Sequence, residues 1–255
     1  MRNLPDVDDP HRGDLTVTVL GCSGTYAGPD GACSGYLIRS PGATVVVDLG
    51  AGTLANLQRH VELGEVDAVV LSHEHPDHWL DLPLLRNAMR YVLGLGDLPV
   101  YGTAGNRALA EGLIDELEPT LLWQIVTDGS TVTIGDLDLR FSRTDHPVET
   151  LAVRVDHAGR TLVYSADTGP GWQGGDLGGD VDTLLCEASF PPDHGTDHLH
   201  LSAREAAALA ASLAADTLVL THAPPGVDPD DQRELAAEDH RGPVAVARTG
   251  VTFAV

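Results

Sequence analysis

The sequence contains no lysine. All 15 of its basic residues are arginine, and they face 38 acidic residues, which gives a formal net charge of −23. Aspartate outnumbers glutamate by 27 to 11, a bias typical of a GC-rich genome or of adaptation to salt. Because nucleic-acid binding depends on clustered basic side chains, this charge disfavours a long RNA or DNA as substrate. Bound cations would reverse the sign of the charge only locally.

Cysteine is also scarce, and long apolar runs are missing. Cys22, Cys33 and Cys186 are an odd number of widely spaced thiols beside apolar segments, which predicts buried cysteines in a reducing compartment. No segment approaches the roughly 18 apolar residues that span a bilayer, so no membrane partner is expected. The polar start of the chain does not resemble a signal peptide. We therefore expect a cytoplasmic protein with a flexible tail over residues 1–13.

Segments typical of strands and helices follow one another along residues 14–255, which we interpret as a single domain. Short apolar or alternating segments predict strands over 15–20, 36–39, 43–48, 66–71, 99–101, 121–126, 130–134, 137–144, 150–156, 160–165, 183–186, 217–221 and twice within 243–254. Helical patterns lie at 53–61, 79–93, 104–118, 202–214 and 229–239, and Ser202 with Glu205 forms a capping box. The two halves resemble each other weakly. This order predicts an α/β fold, a four-layer αββα sandwich of two mixed sheets.

A dense polar cluster follows the predicted strand 66–71. It contains four candidate metal ligands within six residues: His73, His75, Asp77 and His78. The first two histidines stand two residues apart, so they project to the same side of an extended segment. Neutral imidazole and carboxylate together suit Zn²⁺, Mn²⁺ or iron. A solvated surface loop has no need of so many ligands, and the cluster therefore predicts a metal site.

Four further polar residues stand where apolar strands end. They are Asp48, His146, Asp167 and His222. Ligand sites gather at strand ends because the loops there converge while the sheet holds them rigid. We expect these four side chains to join the cluster at residues 73–78.

The segment His73-Glu74-His75-Pro76-Asp77-His78 resembles the H-x-H-x-D-H signature of the metallo-β-lactamase fold. The resemblance implies two divalent metal ions, Zn²⁺ or Mn²⁺. It implies these ligands: His73, His75 and His146 for the first ion, Asp77, His78 and His222 for the second, and Asp167 between them. Asp48 would orient a ligand from outside the site. Asp77 would also have a catalytic role, since it would orient the attacking water.

A second resemblance concerns the branch of that family. Glu187-Ala188-Ser189 and His200-Leu201-Ser202 are similar to elements of the ribonuclease Z-like phosphodiesterases. In that branch the histidine acts near the leaving oxygen and the glutamate orients it, which implies catalytic roles for His200 and Glu187. His198 is the second choice and an expected substrate contact.

The chain departs from ribonuclease Z itself. It has no basic insertion that would grip transfer RNA, and His222 is followed by Ala223-Pro224. The segment 20–30 resembles a compact actinobacterial group similar to cyclic-nucleotide phosphodiesterases. Ser23 in this segment is expected at the rim of the site, in contact with substrate. The resemblance implies hydrolysis of a small anionic phosphodiester such as cyclic AMP to a 5′-monophosphate.

Three other functions stay open at this point. One is an arm-less ribonuclease, and another is an acyl hydrolase of a lactone, thioester or β-lactam on the same fold. The third is a metal-binding regulator without turnover, although none of the seven candidate ligands is missing. A homodimer is the default assembly, because symmetric pairs are the commonest.

Overall fold

Two seven-stranded mixed sheets form the centre of the protein in a computed structural model that describes residues 15–190 and 199–255. The strands of the first half of the chain are β1 Thr16–Gly21, β2 Gly35–Ser40, β3 Ala43–Leu49, β4 Ala68–Val70, β5 Leu98–Gly102 and β6 Leu121–Ile125. Those that follow are β7 Thr131–Ile134, β8 Leu137–Arg143, β9 Leu151–His157, β10 Arg160–Tyr164, β11 Thr183–Glu187, β12 Thr217–Thr221, β13 Val244–Val246 and β14 Thr252–Ala254.

Each half of the chain builds one sheet, with a single exchange. The first sheet has the order β14-β1-β2-β3-β4-β5-β6, and the second has the order β13-β12-β11-β10-β9-β8-β7. The last strand returns to the first sheet and pairs antiparallel with β1, where Ala254 lies opposite Thr16. Strands β3 to β6 run parallel to one another, as do β10 to β13. This arrangement confirms the two mixed sheets that the sequence predicts.

In the described part of the chain, five α-helices cover the outer faces of the sheets. They are α1 Thr53–Leu57, α2 Leu82–Asn87, α3 Ala104–Leu113, α4 Ala203–Ser212 and α5 Pro229–Asp239. Shorter turns of 3-10 helix lie at Leu63–Glu65, Pro76–His78 and Gly175–Leu177. Ser202 and Glu205 form the predicted capping box at the start of α4. Among the described residues, no helix combines the length and apolar composition needed to cross a bilayer.

Three of the predicted helices differ from the structure in length. The prediction over 79–93 is wrong at its start, because Pro83 occupies the first turn and α2 begins only at Leu82. It then continues as a π-helical turn, Ala88–Leu93. The helix predicted over 53–61 ends at Leu57 and continues as turns, and α3 ends at Leu113, where Gly112 weakens its last turn.

Three layers of apolar contact hold the fold together. Residues such as Val47 and Phe141 fill the space between the sheets. Leu85 of α2 belongs to the cluster between the first sheet and its helices, and Leu209 of α4 to the cluster on the second sheet. The four-layer αββα sandwich is therefore confirmed. The flexible tail predicted for residues 1–13 lies outside the described residues.

Candidate metal centre

Four side chains from three loops converge at one edge of the sandwich. His73 and His75 follow β4, His146 follows β8, and Asp167 follows β10. One ligand atom from each lies within 4.8 Å of the others. His75 Nδ1 is 3.1 Å from His73 Nε2 and 3.2 Å from His146 Nε2. Three ring nitrogens therefore face one point, with the Asp167 carboxylate beside them.

A second group adjoins the first. Asp77, His78 and His222 also bring ligand atoms within 4.8 Å of one another. His222 Nε2 lies 3.2 Å from His78 Nε2 and 3.3 Å from Asp77 Oδ2. Asp167 Oδ1 is 3.3 Å from the Nε2 atoms of both these histidines. The carboxylate of Asp167 therefore stands between the two groups, and all seven predicted ligands come together.

The donor set of these groups fits divalent metal ions. Asp167 Oδ1 is buried and accepts no well-aligned hydrogen bond within the described part of the chain. A buried carboxylate oxygen in that state carries a desolvation cost unless a cation faces it. The neighbouring ring nitrogens point at one another, and imidazole with carboxylate is the ligand set that Zn²⁺ and Mn²⁺ accept.

The surroundings hold three of the candidate ligands in the charge state that metal binding needs. Burial lowers the pKa of His73 well below its ordinary value and lowers the pKa of His146 to about 4, so both rings are neutral. Burial raises the pKa of Asp77, but its hydrogen bond to His222 and the charge of His78 outweigh burial and hold the pKa far below the usual range. A neutral imidazole and an ionised carboxylate are the forms that bind metal.

Asp48 orients His78 from outside the two groups. Its Oδ2 accepts a hydrogen bond from His78 Nδ1 at 2.7 Å and another from Tyr164 Oη at 2.8 Å. The backbone N–H and hydroxyl of Ser72 donate to the same carboxylate. This contact turns Nδ1 of His78 toward Asp48 and leaves Nε2 facing the cluster. The geometry places Asp48 where the resemblance implies a supporting residue.

Two further supports were not predicted from the sequence. Asn106 at the start of α3 donates from Nδ2 to the carbonyl oxygen of His73 at 2.6 Å. Ser189 lies between His222 and Glu187, since its Oγ is 2.9 Å from His222 Nδ1 and 2.9 Å from Glu187 Oε2. In the sequence, Ser189 belongs to the Glu187-Ala188-Ser189 element, and this element could have indicated its role. The sequence gives no such signal for Asn106, because its contact with His73 depends on the docking of α3 against the loop after β4.

His200 and Glu187 form a pair at the open side of the centre. His200 Nδ1 donates to Glu187 Oε1 at 3.0 Å, and the backbone N–H groups of Thr168 and Leu201 hold the same carboxylate. Burial lowers the pKa of His200, but the hydrogen bond and charge of Glu187 outweigh burial and raise the pKa to about 9. His200 also lies near Asp167 and His222, close enough to offer a nitrogen to the same space.

The backbone at the strand ends is specialised for this convergence. Asp48 and His222 adopt left-handed φ values of 56° and 61°, which redirect their side chains as β3 and β12 end. A Cβ at Gly24 would meet the carbonyl oxygen of His222 at 2.4 Å, and one at Gly50 would meet that of Asp77 at 2.0 Å. Such strained and close-packed backbone is common at functional sites.

The two predicted substrate contacts have different outcomes. Ser23 pairs by backbone bridges with Cys33 and Ala223, and it lines a pocket beside the centre rather than either ligand group. His198 lies outside the described residues.

Comparisons with known proteins agree with this geometry. A family model described as a beta-lactamase superfamily domain matches residues 43–223. The chain belongs to the metallo-β-lactamase superfamily. It is 38% identical over 254 residues to the uncharacterised protein Rv1339 of Mycobacterium tuberculosis, covering 94% of this chain and 92% of that protein. YhfI of Bacillus subtilis, described as a probable metallo-hydrolase, is 33% identical over 250 residues, covering 94% and 99%.

The superfamily assignment extends to the branch and the fold. The ribonuclease Z of Mycolicibacterium gilvum is 30% identical over 262 residues, covering 88% of this chain and 90% of that protein. The crystal structure of YhfI superposes with a TM-score of 0.87 at 30% identity, covering 94% of this chain and 99% of that one. The chain is thus a metallo-β-lactamase superfamily hydrolase of the ribonuclease Z-like branch, and that prediction is confirmed.

Proposed function

We propose that this protein hydrolyses 3′,5′-cyclic nucleotides to 5′-monophosphates with two divalent metal ions. The observation that carries the proposal is the His200–Glu187 pair, joined by a 3.0 Å hydrogen bond beside the two ligand groups. Seven other side chains are placed where they could hold metal ions. A histidine that can donate a proton beside them is what cleavage of a phosphate ester with a poor leaving group requires.

The proposed metal site uses the two groups as a pair. One ion would be held by His73, His75 and His146, and the other by Asp77, His78 and His222. Asp167 would contribute to both sites. Zn²⁺ or Mn²⁺ suits this set of imidazole and carboxylate ligands. Bound there, two such ions lower the pKa of water and neutralise charge on phosphoryl oxygens.

The chain's own residues handle the protons. Glu187 fixes the proton of His200 on Nδ1, which leaves a second proton on Nε2 when the ring is charged. In the proposed reaction a water molecule releases one proton to the solvent and its oxygen bonds to phosphorus. The bond from phosphorus to O3′ breaks, His200 Nε2 gives its proton to O3′, and the ring then regains a proton from the solvent. Asp77, held by the N–H of Thr25 at 2.7 Å, orients the water.

The net charge of the chain and its similarity to ribonuclease Z together indicate the substrate class. The ribonuclease Z relative supports phosphodiester chemistry. The net charge of −23 opposes a long RNA, whereas a cyclic nucleotide carries a single negative charge. A small phosphodiester is therefore the substrate class that both observations support.

The test is turnover of cyclic AMP by protein loaded with Zn²⁺ or Mn²⁺, with Asp77→Ala as the control. Metal-dependent release of 5′-AMP that the variant loses would support the proposal. If only bis-p-nitrophenyl phosphate is cleaved, the phosphodiester chemistry stands and short RNA becomes the next substrate to assay. If neither is cleaved, the phosphodiesterase proposal is wrong and an acyl hydrolase takes its place.

A further inference from the structure

Ser72 lies fully buried between the carboxylate of Asp48 and the ring of His73. Its Oγ is 2.8 Å from Asp48 Oδ2 and 3.0 Å from His73 Nδ1. The main chain of the same residue is fixed on both sides, because its N–H donates to Asp48 Oδ1 at 2.8 Å and its carbonyl oxygen accepts from the N–H of Leu151 at 3.1 Å. The hydroxyl is therefore held in place between a supporting carboxylate and a candidate metal ligand.

The hydrogen bonds around Ser72 have one consistent direction. Asp48 Oδ2 also accepts from His78 Nδ1 and Tyr164 Oη, so this carboxylate acts as an acceptor. The single proton of the Ser72 hydroxyl therefore points to Asp48. The Ser72 oxygen is then left as an acceptor, and the group opposite it is His73 Nδ1. It follows that His73 Nδ1 carries a proton and donates it to Ser72.

That proton decides which nitrogen of His73 can bind a metal ion. An imidazole that binds metal is neutral and carries one N–H. With the N–H on Nδ1, the lone pair of His73 lies on Nε2, which is 3.1 Å from His75 Nδ1 and 3.6 Å from Asp167 Oδ2. These two residues are its neighbours in the first ligand group. The hydroxyl of Ser72 thus favours the tautomer whose free nitrogen faces the proposed metal site.

The same carboxylate oxygen reaches both ligand groups. Asp48 Oδ2 is one hydrogen bond away from His78 of the second group. It is two hydrogen bonds away, through Ser72, from His73 of the first group. The ring centroids of His73 and His78 are 4.2 Å apart, and all four residues are 0% exposed, so solvent does not compete for these hydrogen bonds. One buried carboxylate therefore stands behind a ligand in each group.

We propose that Ser72 is a positioning residue that fixes the tautomer of His73, and that through Ser72 the carboxylate of Asp48 orients a ligand in each metal group. The inference rests on the two-metal site of the proposed function and not on its substrate. Without the hydroxyl, the proton of His73 can move to Nε2, where it blocks the lone pair that a metal ion needs. Residues that orient ligands in this way typically change metal affinity by about 10- to 100-fold.

Zn²⁺ binding by variants of Ser72 tests the effect on affinity. Ser72→Ala removes the hydroxyl and keeps the backbone contacts, whereas Ser72→Thr retains a hydroxyl on the same carbon. Competition with a chromophoric chelator should show an affinity about 10- to 100-fold lower in Ser72→Ala and close to that of the wild type in Ser72→Thr. Ser142→Ala is the matched control and should bind as the wild type does, because Ser142 is also buried and its Oγ accepts from Trp172 Nε1 at 3.3 Å.

The tautomer itself is measured by NMR in metal-free protein labelled with ¹⁵N-histidine, with His73→Gln identifying the signals of His73. Long-range ¹H–¹⁵N correlations distinguish a ring protonated on Nδ1 from one protonated on Nε2. A wild-type His73 protonated on Nδ1, with the Nε2–H form appearing in Ser72→Ala, supports the inference. A proton on Nε2 in the wild type, or an unchanged tautomer in Ser72→Ala, overturns it whatever the metal affinity.

The wild-type spectrum needs no change at Ser72, so it decides the tautomer even if Ser72→Ala does not fold. Neither measurement uses a substrate. A failure of cyclic-nucleotide turnover therefore leaves this inference intact, and a failure of the inference leaves the substrate assay unaffected.

Discussion

Each histidine of the second group is held by a residue that lies one contact further out. Asp48 holds Nδ1 of His78, and Ser189, which is hydrogen-bonded in turn to Glu187, holds Nδ1 of His222. Such outer contacts fix ring orientation and raise the basicity of the ligand. Glu187 therefore contacts His200 directly and His222 through Ser189, which connects the proposed acid to the candidate metal site.

Replacing Asp48 with asparagine tests the support of His78. The amide has one acceptor oxygen where the carboxylate receives His78, Ser72 and Tyr164, so at least one donor would face an N–H₂ group. We expect Asp48→Asn to lower metal affinity by about 10- to 100-fold, measured by competition with a chromophoric chelator. Asp138→Asn, an exposed position on β8, is the matched control. Equal affinities in the two variants would contradict the role of Asp48.

Replacing His200 with alanine tests the proposed acid. Cyclic AMP turnover should fall by about 10²- to 10⁴-fold, because the ribose oxygen then leaves without its proton. Turnover of bis-p-nitrophenyl phosphate should fall far less, since p-nitrophenolate leaves readily without receiving a proton. Metal content should match that of the wild type and of the control His157→Ala, measured by emission spectroscopy. Loss of metal from His200→Ala would instead identify His200 as a ligand.

Sequence reasoning predicted the convergence of residues that share one local pattern. Candidate ligands such as His73 and His222 stand beside strand signals, so their place in the chain predicted that they would meet in space. Asn106 stands inside a helical pattern and holds the loop after β4 through its hydrogen bond to His73. The sequence pattern of α3 does not show this contact, because it depends on how α3 docks against that loop.

At the scale of elements, the centre depends on how closely the strand ends approach the loop after β4. Gly50 follows β3 and lies against the carbonyl group of Asp77, which also accepts from the N–H of Ser34 at 3.1 Å. The sequence predicted these strands to within a few residues, because their apolar runs are bounded by turns. It overestimated the lengths of α1 and α3, since tertiary contacts and the next turn decide where a short helix ends.

Gly50→Ala tests this close approach. Its Cβ would stand 2.0 Å from Asp77 O and 2.8 Å from Cys33 Cβ, so the loop that carries Asp77 must move. We expect a stability loss of about 1–3 kcal/mol by chemical denaturation, together with a lower metal content. The opposite result is expected for Gly112→Ala in α3, where a Cβ meets nothing within 4 Å and helix propensity rises by about 1 kcal/mol. A neutral effect of Gly50→Ala would show that the loop is not fixed there.

At the scale of the whole molecule, the centre concentrates negative charge in a chain that already carries −23. Asp48, Asp77, Asp167 and Glu187 are all buried at the same edge of the sandwich. Protein hydrogen bonds and histidines balance them in part, but Asp167 Oδ1 has no well-aligned donor in the described part of the chain. Divalent cations at this edge would join the two sheets, because their ligands come from loops of both.

Metal removal should therefore destabilise the whole fold. A ligand present at about 1,000 times its Kd, bound only by the native state, adds about 4 kcal/mol, which corresponds to about 10 °C in Tm for a chain of this size. We expect protein dialysed against a chelator to melt lower by that amount and to recover on addition of Zn²⁺ or Mn²⁺. Asp167→Asn should show little of the shift, because this residue serves both ligand groups, whereas Asp138→Asn should show all of it. A Tm that does not respond to metal in the wild-type protein would mean that the two sheets are held at this edge by the protein contacts alone.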